Sequence, residues 1–129
     1  MMRSEFIAKE IVDAAFTVHK ELGPGLLESV YEVCLCEELL SRKLSIENQV
    51  PVPVIYKNKV LNAGFRMDIL VEKKVIVELK AVDILLPVHT AQVITYLKLA
   101  NLSLGFLINF NEQTVREGLK RIVYNYVPE

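Results

Sequence analysis

"FRMDILVEKKVIVELKAV", residues Phe65 to Val82, decides how this chain is read. Two aliphatic, β-branched runs, "LNAGFRMDILV" (Leu61–Val71) and "KVIVELKAV" (Lys74–Val82), read as strands. Both are apolar enough to be buried on both faces of a sheet. Yet Asp68 stands inside the first, and Glu78 and Lys80 stand inside the second. Unpartnered buried charge is costly, so these groups must meet each other, a metal, or both.

The hairpin register decides whether they meet. Strand parity puts Arg66, Asp68 and Leu70 on one face, and Ile76, Glu78 and Lys80 on one face. A three-residue loop, Glu72-Lys73-Lys74, pairs Val71 with Val75 and Asp68 with Glu78. A two-residue loop sets Asp68 opposite Leu79 and splits the charges between two faces. The three-residue register is the expected one.

Two carboxylates at that spacing repel when ionised, and a divalent cation resolves the conflict. Mg²⁺ or Mn²⁺ suits oxygen ligands and keeps waters for chemistry. Lys80 is no ligand, but it is suited to orienting or activating a water, or to stabilising charge on a phosphate. Asp-x(n)-Glu-x-Lys thus fits metal-dependent phosphodiester cleavage. The plain alternative is a buried ion-pair network of Lys80 with Asp68 or Glu78.

Working outward, Ile7, Ile11, Ala14, Val18 and Leu22 recur at helical spacing, and predict a helix from Glu5 to Leu22 with Ser4 as N-cap. Gly23-Pro24-Gly25 stops it, and a second helix spans Leu26–Lys43. "IENQVPVPVIYKN" (Ile46–Asn58) carries two prolines and reads as an edge or bent strand. Pro87 opens a helix to Ala100, and "SLGFLINF" (Ser103–Phe110) is a strand. In the tail, Gly118 divides a short helix from "LKRIVYNY", a candidate last strand. The order ααβββαβ plus tail predicts one α/β domain, residues 1–129, with a mixed sheet.

The bulk properties agree. The 129 residues suit one compact domain, and 52% are hydrophobic, with mean hydropathy +0.31. No apolar run reaches the ~18–20 residues of a membrane span, so no membrane partner is expected. The excess apolarity implies a deeply buried sheet and leaves room for a homodimer interface. The N-terminal decapeptide has no signal-like apolar region, which predicts a cytoplasmic protein. Cys34 and Cys36 fall on nearly opposite sides of a helix, cannot chelate one ion together, and read as reduced packing thiols. The net charge of −1 excludes a globally basic nucleic-acid binder but not a local patch. Candidate phosphate contacts are Lys57, Lys59, Arg66, Lys73, Lys74, Lys98, Lys120 and Arg121, with Lys73-Lys74 and Lys120-Arg121 the densest pairs. Tyr56, Tyr124 and Tyr126 are candidate stacking partners.

Glu28 is the remaining oddity. On a helical wheel it lines up with Leu35 and Leu39, with Tyr31 beside it, so it faces the sheet from the helix N-terminus. The helix dipole favours a carboxylate there. First-turn stabilisation and pairing with Lys80 or Arg66 are its plain alternatives.

With Asp68 and "Glu78-Leu79-Lys80" as signature, the chain resembles the PD-(D/E)XK nuclease superfamily, although the proline expected in the first half of the motif is missing. More closely it is similar to the small bacterial GxxExxY proteins, through Gly25-Leu26-Leu27-Glu28-Ser29-Val30-Tyr31, the Phe65–Val82 stretch, "LLPVHTAQVITYLKLA" and "GFLINF". The resemblance covers nearly the whole chain. It implies a restriction-endonuclease-like core, a mixed β-sheet flanked by helices, and hydrolysis of nucleic acid, DNA in preference. It also implies that Glu28 completes a metal site with Asp68 and Glu78. Gln92 and Tyr96, neighbours at i and i+4, are similar to the Gln-x3-Tyr motif of the RecB-type exonuclease branch. By that resemblance Gln92 positions a ligand, water or phosphate, and Tyr96 supports it. His89, a turn earlier, reads as a cap or surface residue.

Overall fold

In the computed structural model, which describes residues 2–129, two helices come first. They are α1 (Ser4–Leu22) and α2 (Glu28–Ser41). Five strands follow, β1 (Ile46–Pro51), β2 (Val54–Tyr56), β3 (Lys59–Leu61), β4 (Arg66–Val71) and β5 (Val75–Lys80). Then come α3 (Pro87–Ala100), β6 (Leu104–Asn109), α4 (Val115–Gly118) and β7 (Leu119–Val123).

The main sheet has the order β1-β4-β5-β6-β7. Only β5 and β6 run parallel, joined through α3 as a crossover needs. Side-chain alternation buries both faces. Ile69, Val71, Val77, Leu79 and Phe106 pack with Ile7, Ile11, Tyr31 and Leu35 of α1 and α2. Leu70, Ile76 and Leu107 pack with Val93, Tyr96 and Leu97 of α3.

The β4–β5 register is Val71↔Val75, Leu70↔Ile76 and Ile69↔Val77, as the three-residue loop requires. Glu72 and Lys73 in that loop have φ of 53° and 54°, the left-handed values of a tight hairpin turn.

Several expectations are corrected. Ser4 is not the N-cap of α1. Arg3 holds that position without a side-chain cap, and the Ser4 hydroxyl donates instead to the Glu129 carboxylate. The second helix starts at Glu28 and ends at Ser41, because the chain at Leu27 is still extended. "IENQVPVPVIYKN" is two strands, since Pro53 has no N–H to continue a ladder. Leu61–Val71 is likewise broken at Asn62–Phe65, where Gly64 has a φ of 80°. The detached pieces β2 and β3 pair only with each other as a second, two-stranded sheet.

The tail divides as expected into α4 and β7, and Gly118 has a packing reason to be glycine. A Cβ there would lie 2.2 Å from the Asn109 carbonyl oxygen.

Candidate active site

The ladder between β4 and β5 stops at Ile69↔Val77, and side chains take over. The Asp68 N–H donates to Glu78 Oε2 at 3.2 Å, and the Leu79 N–H donates to Asp68 Oδ2 at 2.8 Å. The strands diverge here, and each carboxylate satisfies an amide that pairing would otherwise have served. One oxygen of each acid is thereby fixed to the backbone.

Glu78 is 5% exposed. Burial, then the hydrogen bond and charge of Asp68, push its carboxyl up to about 10. The two acids therefore crowd one another, and the charge of Lys80 offsets this only in part. Lys80 follows on the same strand face, half-buried, and among the described residues no carboxylate lies within 4.0 Å of its Nζ. The buried ion-pair network that would account for these charges by structure alone is not formed.

Glu28 opens α2 beside this fork and is half-buried. Burial raises its carboxyl, Lys80 pulls the other way, and Asp68 and Glu32 raise it further. Glu28 thus stands within electrostatic reach of both Lys80 and Asp68. Its position is set by a lock in the preceding loop. The buried Tyr31 hydroxyl donates to the Gly23 carbonyl at 2.6 Å and accepts the Leu26 N–H at 3.2 Å. The Tyr31 ring stacks on Phe110, 4.6 Å between centroids. Asn111 Oδ1 also holds the Gly25 N–H at 3.1 Å. Tyr31 therefore braces the Gly-Pro-Gly turn rather than touching Glu28.

From the other side, Gln92 Nε2 donates to the Tyr96 hydroxyl at 3.0 Å. Burial, then the charge of Glu78, raises the Tyr96 phenol, so Tyr96 lies within electrostatic reach of the acid pair. Gln92, Tyr96 and Phe65 line an open cavity of about 350 Å³ on α3. His89 is a cap, as expected: its Nδ1 accepts the Leu86 N–H at 3.0 Å.

Two residues at the site were missed in the sequence. Glu32 lies one turn beyond Glu28, and its carboxylate accepts from Gln49 Nε2 at 2.9 and 3.1 Å. The same Nε2 lies 3.4 Å from Asp68 Oδ1. The i, i+4 spacing from Glu28 was a legible signal for Glu32. Gln49 had none, because a φ of 52° in β1 aims its side chain.

The basic candidates divide. Arg121 is paired with Glu5, Lys74 with Glu129, and Lys98 lies over the Tyr124 ring. Lys73-Lys74 sits at the β4–β5 turn, about 10 Å along the strands from Asp68 and Glu78. Arg66 is exposed in β4, two residues from Asp68, and Lys57 and Lys59 are exposed on the separate β2–β3 ribbon.

A family model described as PD-(D/E)XK nuclease superfamily matches residues 5–122. The chain belongs to the PD-(D/E)XK nuclease superfamily. Its five-stranded mixed sheet flanked by helices is the restriction-endonuclease-like architecture of a PD-(D/E)XK protein. No curated protein and no solved structure matches it.

Nucleases of this superfamily generally use divalent metals, and the donor set here fits one. The donors are all carboxylate oxygens, preferred by hard cations, and one oxygen of each acid is not held by the backbone. Among the described residues no three His, Cys, Asp or Glu side chains converge closely enough to hold an ion between them. An ion held by the Asp68–Glu78 pair would take its remaining ligands from water. Among the described residues no helix is long and apolar enough to cross a membrane.

Proposed function

We propose that this chain, acting as one nuclease-like domain, is a metal-dependent nuclease that hydrolyses phosphodiester bonds, DNA being the favoured substrate. The observation that supports this most is the fork itself. Asp68 and Glu78 each give one oxygen to a backbone N–H and keep the other off the backbone, beside a lysine with no carboxylate within ion-pair distance.

Asp68 and Glu78 would hold Mg²⁺ or Mn²⁺, with Glu28 as the third carboxylate completing the site through water. Such an ion supplies Lewis-acid polarisation and lowers the pKa of bound water. The chain's own groups do the rest. Lys80, free of a carboxylate partner, orients the attacking water or offsets charge on the phosphate. Gln92 positions a phosphate or water, and Tyr96 fixes Gln92 through its hydroxyl. Tyr31 keeps Glu28 in place by locking the turn before it. Gly25 to Tyr31 matches the GxxExxY pattern, and we assign the chain to that group on this motif. The cytoplasm is the expected compartment, and a homodimer is compatible with the apolar surface.

The test is cleavage of labelled DNA and RNA with Mg²⁺ or Mn²⁺, beside Glu78→Ala and Lys80→Ala. Activity in the parent and loss in both variants is expected. Equal activity in all three would end the proposal. Salt-dependent binding without turnover in any cation would instead favour a catalytically inactive nuclease-fold module that binds nucleic acid.

A further inference from the structure

The β2–β3 ribbon stands outside the main sheet, its strands paired only with each other. Its neck is anchored, since Val52 is buried beside Met67 and its N–H donates to the Phe65 carbonyl at 2.8 Å. Beyond the neck the ribbon leaves the sheet. Ile55 and Val60, a cross-strand pair, are 62% and 71% exposed. Tyr56 and Lys59, the next pair, lie on the other face and are exposed too. A two-stranded ribbon bare on both faces is marginal in water and gains from a partner.

Charge indicates which partner. From Pro51 to Met67 there are three basic residues, Lys57, Lys59 and Arg66, and no acid, in a chain of net charge −1. Lys57 forms the tip with Asn58 and lies 5.5 Å over the Tyr56 ring. A second copy of the ribbon would bring these lysines against each other, whereas a phosphate backbone complements them. A two-stranded ribbon is also of the size that the major groove of a duplex admits.

Position completes the case. The ribbon continues the ends of β1 and β4 where Pro51↔Arg66 closes the ladder, two residues from Asp68. Phe65 at its root lies edge-on to Tyr96, 5.9 Å between centroids, so one surface runs from ribbon to fork.

We propose that the β2–β3 ribbon is an arm that grips duplex nucleic acid next to the site, Lys57 and Lys59 on phosphates and Ile55 and Val60 against sugars and base edges. It rests on the nuclease reading in that the duplex gripped is the duplex cut.

The experiment is fluorescence anisotropy of a labelled DNA duplex in Ca²⁺ over a salt series. It compares the parent, Lys57→Glu/Lys59→Glu, and the charge-matched control Lys9→Glu/Lys43→Glu, two exposed lysines on α1 and just after α2. The arm variant should bind about tenfold to a hundredfold more weakly, with the slope of log affinity on log salt reduced by about two. The control should bind like the parent. All three should melt alike, since these lysines lie outside the core. Equal weakening in arm variant and control would overturn the arm, because net charge alone would explain it. Parent-like duplex binding by the arm variant would also overturn it, while leaving the nuclease reading intact if Glu78→Ala still abolishes cleavage. Conversion of a dimer to a monomer by Ile55→Asp/Val60→Asp, with duplex binding untouched, would make the ribbon a protein interface instead. A parent that binds no nucleic acid would overturn arm and nuclease reading together.

Discussion

Asp68 and Glu78 hold one another across the fork between β4 and β5. The Asp68 N–H donates to Glu78 Oε2 at 3.2 Å, while Asp68 Oδ2 accepts the N–H of Leu79, the residue after Glu78. This exchange fixes both carboxyls at the point where the strands part. It also forces two acids together in a poorly hydrated place, and that conflict has measurable consequences.

The metal-free protein should lose stability as pH rises. The Glu78 carboxyl titrates near 4.5 when unfolded and at about 10 when folded. Between those values the folded state holds a proton that the unfolded state has released, so unfolding is favoured by increasing pH. Below the window both states are protonated and the effect vanishes. Each pH unit inside it removes up to about 1.4 kcal/mol, several degrees of Tm for a chain of this size. Thermal melts in EDTA from pH 5 to 9 should show that decline. Glu78→Gln, which cannot ionise, should flatten it.

Lys80→Met should leave the fold intact. Lys80 has no carboxylate partner within 4.0 Å to strand, so stability should change by no more than about 1 kcal/mol. Cleavage should fall by about a hundredfold or more, as for other groups placed on developing charge. Urea denaturation paired with a cleavage assay separates the two effects. A large loss of stability would point to an ion-pair role.

Tyr31→Phe keeps the stack on Phe110 and removes only the hydroxyl. The Gly23 carbonyl and Leu26 N–H each lose a partner, at a cost of about 1–3 kcal/mol. Because the turn positions Glu28, cleavage should drop as well. Urea midpoints and single-turnover rates are the readouts.

Gly118→Ala should be severely destabilising, although alanine favours helices. Its Cβ would meet the Asn109 carbonyl oxygen at 2.2 Å. Overpacking of this kind costs about 1–3 kcal/mol or more, and a lowered Tm with unchanged far-UV signal at low temperature is expected.

Much of this was legible in the sequence because the charges in Phe65–Val82 conflict with their apolar surroundings. Three-residue loop chemistry then fixed the register that unites Asp68 with Glu78. Pro87 and Gly118 marked element boundaries for plain stereochemical reasons. The β2–β3 ribbon was not legible, because its residues have strand-like composition and only the breaks at Pro53 and Gly64 separate it from the sheet. Gln49 was hidden because its backbone φ, not its type, brings it to Glu32. Arg121 looked like a phosphate contact, since nothing local revealed Glu5 more than a hundred residues away as its partner.

The most direct test of the account is anomalous scattering from crystals soaked in Mn²⁺. A manganese peak bound by Asp68 and Glu78, lost in Glu78→Gln crystals, is the predicted result. No peak at the fork, with Lys80 swung in to bridge the two carboxylates, would contradict it.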